Sequence, residues 1–454
     1  MNDKPTILVI IGITGDLARR KLLPALAEIA RSGALPQHFG LVGVSRRVLT
    51  AEDVIADTPG LATDEAKSFV RDHLHMYQMD IDSTSDYQEL ASHLDTIEKE
   101  WGQPAQRLFY LSVPPQVSQP IVHHLGEAGF GALTDTKLLL EKPFGSDLSS
   151  AQDLITSTKR YFTESQLYRI DHYLAKEMAQ NIIVFRQGNS LFKRTWNNQC
   201  IEKIELIATE KIGIEGRVAF YEQTGALRDF VQSHLLQLAA LTLMDLPTND
   251  DWTTVPSLRL SALEALQPPQ ADELDSAVIR GQYQSYASET ANPGTPTETF
   301  VSMTLHSRAP RWEGVPIVLT TGKSLDRKAT EIRIHYKKED EQEANILSLH
   351  IQPTEGVEIL MWAKKPGYER ELERLPLNFT YSDHYNSLPE AYERVLVDAM
   401  RGDHSLFASS DEVLASWRIL APIQQHWAMQ GTSGLIMYPD NSAPHSILDT
   451  KNTR

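Results

Sequence analysis

In the first third of the chain, short apolar runs alternate with amphipathic stretches of helical period. Ile7–Ile11, Gly40–Val44, Met76–Ile81, Arg107–Val113, Leu138–Glu141 and Leu167–Ile170 read as strands, with helices such as Leu17–Arg31 and Ser85–Trp101 between them. Strand–helix alternation of this kind implies a parallel sheet covered on both faces. Pro24 is expected to kink the first helix or to mark a late start. Asp147-Leu148-Ser149-Ser150 reads as the opening of a helix over Ala151–Tyr161.

After about residue 180 the period changes. Ile332, Ile334 and Tyr336 alternate with Glu331, Arg333, His335 and Lys337, and Leu347, Leu349 and Ile351 with Ser348, His350 and Gln352. Period-two alternation marks strands with one buried face, hence an antiparallel sheet. Lys203–Thr209, Thr299–His306, Ile317–Thr321 and Val357–Ala363 extend the set. Two long helices follow, one opened by Pro389 and one by a Ser409-x-x-Glu412 capping box. The segment Pro247–Thr297 carries no clear period, and the polar tail after Tyr438 is expected to fray. The expected fold is α/β plus α+β. A Rossmann-like doubly wound domain spans residues 1–172, and an α+β domain on a large, mostly antiparallel sheet spans 173–454.

With 41% hydrophobic and 23% charged residues, the composition is that of a soluble globular protein. A net charge of −17 argues against nucleic-acid and anionic-membrane partners, and requires any anionic ligand to be held by locally gathered Arg and Lys. The single cysteine, Cys200, suits a reducing compartment, and no apolar run approaches a membrane span. A cytoplasmic location is expected.

Ile7-Leu-Val-Ile-Ile-Gly12-Ile-Thr14-Gly15-Asp16-Leu17-Ala18 sets a glycine turn between strand and helix. Glycine permits the close backbone approach that a pyrophosphate at a helix N-terminus needs. The spacing G-x-x-G-x-x-A departs from G-x-G-x-x-G, and a strand–turn–helix without a ligand is the plain alternative. The second strand ends Ser45-Arg46-Arg47 instead of with an acid. A hydroxyl and two guanidiniums suit the 2′-phosphate of NADP, against the alternative of an exposed basic turn. Lys142 follows the fifth strand, at the sheet edge where such folds bind ligands; it also reads as an ordinary loop lysine.

The run Tyr168-Arg169-Ile170-Asp171-His172-Tyr173-Leu174-Ala175-Lys176-Glu177 crowds charges and phenols that fit a phosphate-gripping site. A helix starting near Asp171 would put His172 and Lys176 on one face at its positive end, with Tyr173 adding a hydroxyl. The alternative is an N-cap and a solvated face. His234 falls among Leu227, Phe230, Leu238 and Leu241 on helical spacing, where a core histidine competes with a general base oriented by a carboxylate.

Together these residues resemble the glucose-6-phosphate dehydrogenase family. The resemblance rests on Gly-x-x-Gly-Asp-Leu-Ala, Phe109-Tyr110-Leu111 with Pro114-Pro115, Glu-Lys-Pro-Phe-Gly and Arg-Ile-Asp-His-Tyr-Leu-x-Lys-Glu. It continues through Glu215-Gly216-Arg217, Arg228-Asp229 with His234-Leu-Leu-Gln, Trp312-x-Gly314-Val315-Pro316 with Gly322-Lys323, Gln352-Pro353 and Ala391-Tyr392-Glu393-Arg394. The resemblance implies oxidation of glucose 6-phosphate to the lactone with NADP, His234 as base and Asp171 as its partner. It further implies that His172, Tyr173 and Lys176 grip the phosphate, that Glu210 and Asp229 bind sugar hydroxyls, and that Lys323 and Lys328 add cationic contacts. Lys142 would bridge substrate and nicotinamide, and Pro143 would stand in a family-typical turn. Gly12, Thr14, Gly15, Asp16, Leu17, Ser45, Arg46, Asp80 and Ile81 would line the coenzyme. A homodimer or homotetramer formed through the large sheet follows from the same resemblance. No metal is implied, and no clustered His/Cys ligand set is present.

Ala175 replaces the family's usual glycine, which would strain the chain if that position needs φ > 0. The region after Met244 is short, and a second, structural NADP site is not expected. The rival readings are a dehydrogenase of another sugar or sugar phosphate, and a non-catalytic NADP-binding regulator.

Overall fold

The computed structural model describes residues 4–339 and 342–452. The chain divides into two compact units. The first comprises the chain up to Gly145, Ser149–Ala175 and Pro389–Val413; the second comprises Ser146–Leu148, Lys176–Leu388 and the chain from Leu414 onward.

In the first unit, β1 (Thr6–Ile11), β2 (Phe39–Ser45), β3 (Leu74–Gln78), β4 (Gln106–Leu111), β5 (Thr136–Leu140) and β6 (Leu167–Ile170) form a parallel sheet in the order β6-β5-β4-β1-β2-β3. β1, β2 and β4 are buried along their whole length, as strands covered on both faces must be. The chain order reverses between β1 and β4, which opens a crevice at their carboxyl ends. β3 sits earlier than the expected Met76–Ile81, so Asp80 and Ile81 lie in the turn beyond it. Helical backbone begins at Asp16, and a π-helical stretch over Ala18–Leu22 leads into the α-helix Leu23–Arg31, where Pro24 stands in the first turn.

The domain division read from the sequence omits one return of the chain. Residues 389–413 belong with the first unit, because helix Ala391–Arg401 buries Ala391, Val395, Leu396 and Ala399 in that core. Its last carbonyls accept hydrogen bonds from Gln106 Nε2 (to Met400 O, 2.8 Å) and Lys137 Nζ (to Ala399 O, 2.6 Å). A short strand, Phe407–Ala408, then pairs antiparallel with β6.

The second unit carries β7 (Ile201–Thr209), β8 (Leu266–Gln267), β9 (Val278–Tyr283), β10 (Phe300–Ser307), β11 (Ile317–Gly322), β12 (Ala329–Tyr336), β13 (Ile346–Gln352), β14 (Gly356–Lys364) and β15 (Leu372–Thr380). They lie in the order β15-β14-β13-β12-β7-β11-β10-β9, with strand Leu435–Tyr438 beyond β9 and β8 beside β10. Pairing is antiparallel except between β7 and β11 and between β9 and Leu435–Tyr438. Ile332, Ile334, Leu347, Leu349 and Ile351 are buried, as their alternation required. The Ser409/Glu412 capping box forms in both directions (2.8 and 3.2 Å) ahead of helix Ser410–Gln430. The tail is ordered instead of frayed. Pro444–Asn452 is a helix, and Ile447 packs in a cluster with Tyr283, Tyr286 and Tyr438.

Candidate active site

The glycine turn follows β1 at the crevice. Gly12 has φ +92°, and a Cβ there would stand 2.3 Å from Ser112 O at the end of β4. Only glycine fits. Gly15 N–H donates to Gly12 O (2.9 Å) and Arg19 N–H to Gly15 O (3.1 Å), so the turn runs directly into the helix. Thr14, Asp16 and Leu17 occupy this turn, with Asp16 bound to Arg20 (2.6 Å) on the surface. At the end of β2, Ser45 Oγ accepts the Arg47 N–H (3.1 Å), Ser45 O accepts the Met79 N–H (3.0 Å), and Arg46 O accepts from Gln78 Nε2 (3.3 Å). Asp80 and Ile81 are tied into the neighbouring turn through Asp86 and Tyr87. Beside Thr14 a cavity of about 230 Å³ is lined by Arg19, Arg47, Asp53 and Asp57. Of the two guanidiniums read from the sequence, Arg47 lines this cavity and Arg46 does not, while Arg19 joins it.

At the carboxyl end of β5, Lys142 precedes Pro143 across a cis peptide bond. Lys142 Nζ lies 3.3 Å from Asp171 Oδ1, and Asp171 is 2% exposed. The same oxygen accepts the Tyr173 N–H (3.0 Å), while Leu174 N–H donates to Asp171 O (3.1 Å). Asp171 therefore folds the chain into a turn around its own carboxylate. No helix starts there. Residues 172–175 are turns and the helix is Glu177–Gly188, so His172 and Lys176 do not share a helical face. His172 instead lies against Tyr173 (ring centroids 4.9 Å apart) and Tyr392 (6.5 Å, planes within 10°). Tyr173 is buried. Ala175 is buried and is not among the non-glycine residues with positive φ, so alanine is unstrained there.

In the second unit, Lys176 stands at the N-terminal end of helix Glu177–Gly188, where Met178 N–H already donates to Glu355 Oε2 (2.6 Å). β7 and β11 run parallel, with Thr209 opposite Gly322, so the residues that follow them meet: Lys323 Nζ bonds to Glu210 Oε2. Lys323 is buried, and its ammonium lies 5.3 Å from the centre of the Tyr221 ring. Burial, and then the charge of Asp229, hold the Tyr221 phenol far above its ordinary pKa, which places Asp229 near this group. Lys328 is exposed and lines a cavity of about 310 Å³ with Arg327, Glu331 and His350.

Asp229 and His234 stand on a π-helical stretch, Leu227–Leu235. Five residues apart on an α-helix, two side chains diverge by about 140°; an i→i+5 repeat brings them towards one face. The apolar sequence around them reads equally well as α-helix, so nothing in it announces this turn. His234 is buried, with its ring 5.5 Å from that of Phe230.

The comparisons agree along nearly the whole chain. The family model described as glucose-6-phosphate dehydrogenase, NAD binding domain, matches residues 9–181, and that of the C-terminal domain matches residues 183–449. Glucose-6-phosphate 1-dehydrogenase of Bacillus subtilis (strain 168) is 36% identical over 458 residues, covering 95% of this chain and 94% of that protein. The enzyme of Borreliella burgdorferi is 36% identical over 448 residues, covering 93% and 92%. A solved glucose-6-phosphate dehydrogenase in complex with its substrate glucose-6-phosphate is similar with a TM-score of 0.91 at 31% identity, covering 98% of this chain and 97% of that one. A Gal80p structure from Saccharomyces cerevisiae shares the fold alone, at 10% identity and a TM-score of 0.57. With two domain models in sequence and relatives matched along almost their entire length, this chain belongs to the glucose-6-phosphate dehydrogenase family.

Proposed function

We propose that this protein oxidises D-glucose 6-phosphate to 6-phospho-D-glucono-1,5-lactone with NADP, the first step of the oxidative pentose phosphate pathway. The observation that carries the reading is the similarity, along 98% of the chain, to a glucose-6-phosphate dehydrogenase solved with its substrate. The Gly12 turn and the end of β2 would hold NADP, which would supply the hydride acceptor for the anomeric carbon. His234 takes the anomeric hydroxyl proton and Asp171 orients and charge-stabilises its imidazole. His172, Tyr173 and Lys176 hold the 6-phosphate, Glu210 and Asp229 accept from sugar hydroxyls, and Lys323 and Lys328 supply positive charge. Lys142 serves both substrate and nicotinamide.

Preference for NADP over NAD is supported by the end of β2, which offers Ser45, Arg46 and Arg47 and no acid for a ribose 2′-hydroxyl. Self-association through the second unit's sheet is supported by its outer strands. Leu375, Leu377 and Phe379 of β15 pair with Met361, Ile359 and Val357 of β14, and Met361 and the three β15 residues are exposed. A cytoplasmic location accords with a single cysteine.

The test is a survey of reduced-nicotinamide formation with both coenzymes against glucose 6-phosphate, free glucose and other sugar phosphates. Turnover is expected with glucose 6-phosphate and NADP, and His234→Asn is expected to reduce it by about 10²–10⁴-fold with coenzyme binding kept. Faster turnover of another sugar would reassign the substrate, and an active His234→Asn enzyme would remove the base.

A further inference from the structure

Three residues of the motifs that identify the family have no role in the assignments above: Tyr110, Glu141 and Tyr392. Within the first unit they meet. Tyr110, fully buried at the carboxyl end of β4, donates its phenol hydrogen to Glu141 Oε1 (2.5 Å), just past β5. The Tyr392 phenol, at the start of helix Ala391–Arg401, lies beside the same carboxyl group. Burial raises the Glu141 carboxyl above its ordinary range, and the neighbouring phenols and the Lys142 charge offset only part of that rise. A carboxyl that accepts from a buried hydroxyl has its acceptor role fixed, and the anion fills it best.

Each end of this network reaches a residue of the proposed site. Glu141 directly precedes Lys142, whose ammonium is 3.3 Å from Asp171 Oδ1, and the Glu141 and Lys142 charges attract. The Tyr392 ring lies within 10° of parallel to the His172 imidazole, at a centroid distance of 6.5 Å. If the cluster served only to seat helix Ala391–Arg401 on the sheet, apolar side chains of similar shape would do so without burying a charge. It sits instead at the carboxyl ends of β4 and β5, the edge where such sheets meet their ligands.

We propose that Glu141 and Tyr392 are positioning residues for the reaction. Glu141, steadied by Tyr110, holds the Lys142 ammonium towards Asp171, and the Tyr392 ring sets the plane of the His172 imidazole. Tyr392 joins the two halves of this device through its hydroxyl and its ring face. The inference rests on the roles given above to Lys142 and His172.

Tyr392→Phe keeps the ring and loses the hydroxyl, Tyr392→Leu loses both, and Glu141→Gln removes the charge while keeping an acceptor. Steady-state kinetics, thermal midpoints and the His172 ring resonances, assigned by their loss in His172→Asn, are compared across these variants. Tyr392→Phe is expected to lower kcat by about five- to twentyfold while the KM for glucose 6-phosphate stays within about threefold. Tyr392→Leu adds a rise in that KM of about tenfold and shifts the His172 resonances, which Tyr392→Phe leaves in place. Glu141→Gln matches Tyr392→Phe in kcat, and the double variant is no worse than the poorer single one, since both break the same link. The proposal is overturned by kcat and KM within twofold of the wild type in both Tyr392→Phe and Glu141→Gln. It is also overturned if Tyr392→Phe and Tyr392→Leu are indistinguishable in both KM and resonances, or if kcat falls only in step with the folded fraction. A wild-type protein that leaves glucose 6-phosphate unoxidised would refute the proposed reaction instead, and the His172 resonances would then decide the positioning role alone.

Discussion

Lys142 and Asp171, from the ends of neighbouring parallel strands, form an ion pair at 3.3 Å in which the carboxylate is 2% exposed and the lysine side chain 16%. This cation and the Tyr173 N–H both favour the charged form of a carboxylate so enclosed. Lys142→Met is therefore expected to lower turnover by at least about tenfold and to lower stability, through the loss of the cation beside a buried carboxylate. Lys142→Arg, which keeps the cation with altered reach, is expected to be milder in stability than in rate. Steady-state kinetics and denaturant unfolding of the two variants check this, and an unaffected Lys142→Met enzyme would rule the pair out of both roles.

Gly12 offers a sharper test of the coenzyme site. With φ +92° and Ser112 O only 2.3 Å from a notional Cβ, Gly12→Ala must shift the backbone of the turn proposed to hold the pyrophosphate. A loss of about 1–3 kcal/mol in stability is expected, together with weakened NADP binding in a fluorescence titration. Gly33, with φ +70° and nothing within 4 Å, is the control: its alanine variant carries the backbone strain without the clash and should bind NADP normally.

The proposed discrimination between coenzymes rests on the basic end of β2. Arg46 and Arg47 are both exposed, and Arg47 lines the cavity beside Thr14 with Arg19. Removing a guanidinium that meets a 2′-phosphate loses a charge-assisted bond worth about 1.5–3 kcal/mol, or roughly ten- to hundredfold in affinity. Arg46→Ala and Arg47→Ala are expected to raise the KM for NADP and leave that for NAD unchanged. If one variant alone shows the effect, it identifies the residue that reads the phosphate; equal effects on both coenzymes would deny the role to either.

The parts of this molecule legible in its sequence are those whose signal is local. The apolar runs of β1, β2 and β4 and the alternation in β12 and β13 reflect burial on two faces and on one, which a few residues suffice to express. The Gly12 turn was legible for the same reason. The start of the helix after β6 was not, because Asp171 bonds the backbone two residues on and forms a turn where its charge pattern also suits a helix N-terminus. The π-helical stretch holding Asp229 and His234 carries no distinguishing composition. Nor does anything near Tyr392 tell that residues 389–413 return to the first unit, since that contact is made with Gln106, Lys137 and β6, far away along the chain. Even where the motif residues were found, the contact between Glu141 and Tyr392 depended on that return.

The last prediction concerns stability alone. Glu205, on β7, meets His335 Nε2 of β12 at 2.7 Å and Lys203 Nζ at 2.9 Å. Burial favours its neutral form, but these two partners outweigh burial and hold its carboxyl at about 2, below an ordinary value of 4.5. A carboxyl whose pKa is depressed by folding contributes stability that is complete above the unfolded value and is lost as pH falls through the folded one. The window therefore runs from about pH 4.5 down to about 2. The shift corresponds to about 3 kcal/mol at most, and partial exposure of the pair reduces it to about 1–2. Glu205→Gln should be less stable than the wild type by that amount at pH 7, and the gap should close as the pH falls below 4.5. Urea titrations of both proteins at several pH values measure it; a gap that stays constant down to pH 3 would show that the side chain stabilises β7 by packing and not by charge.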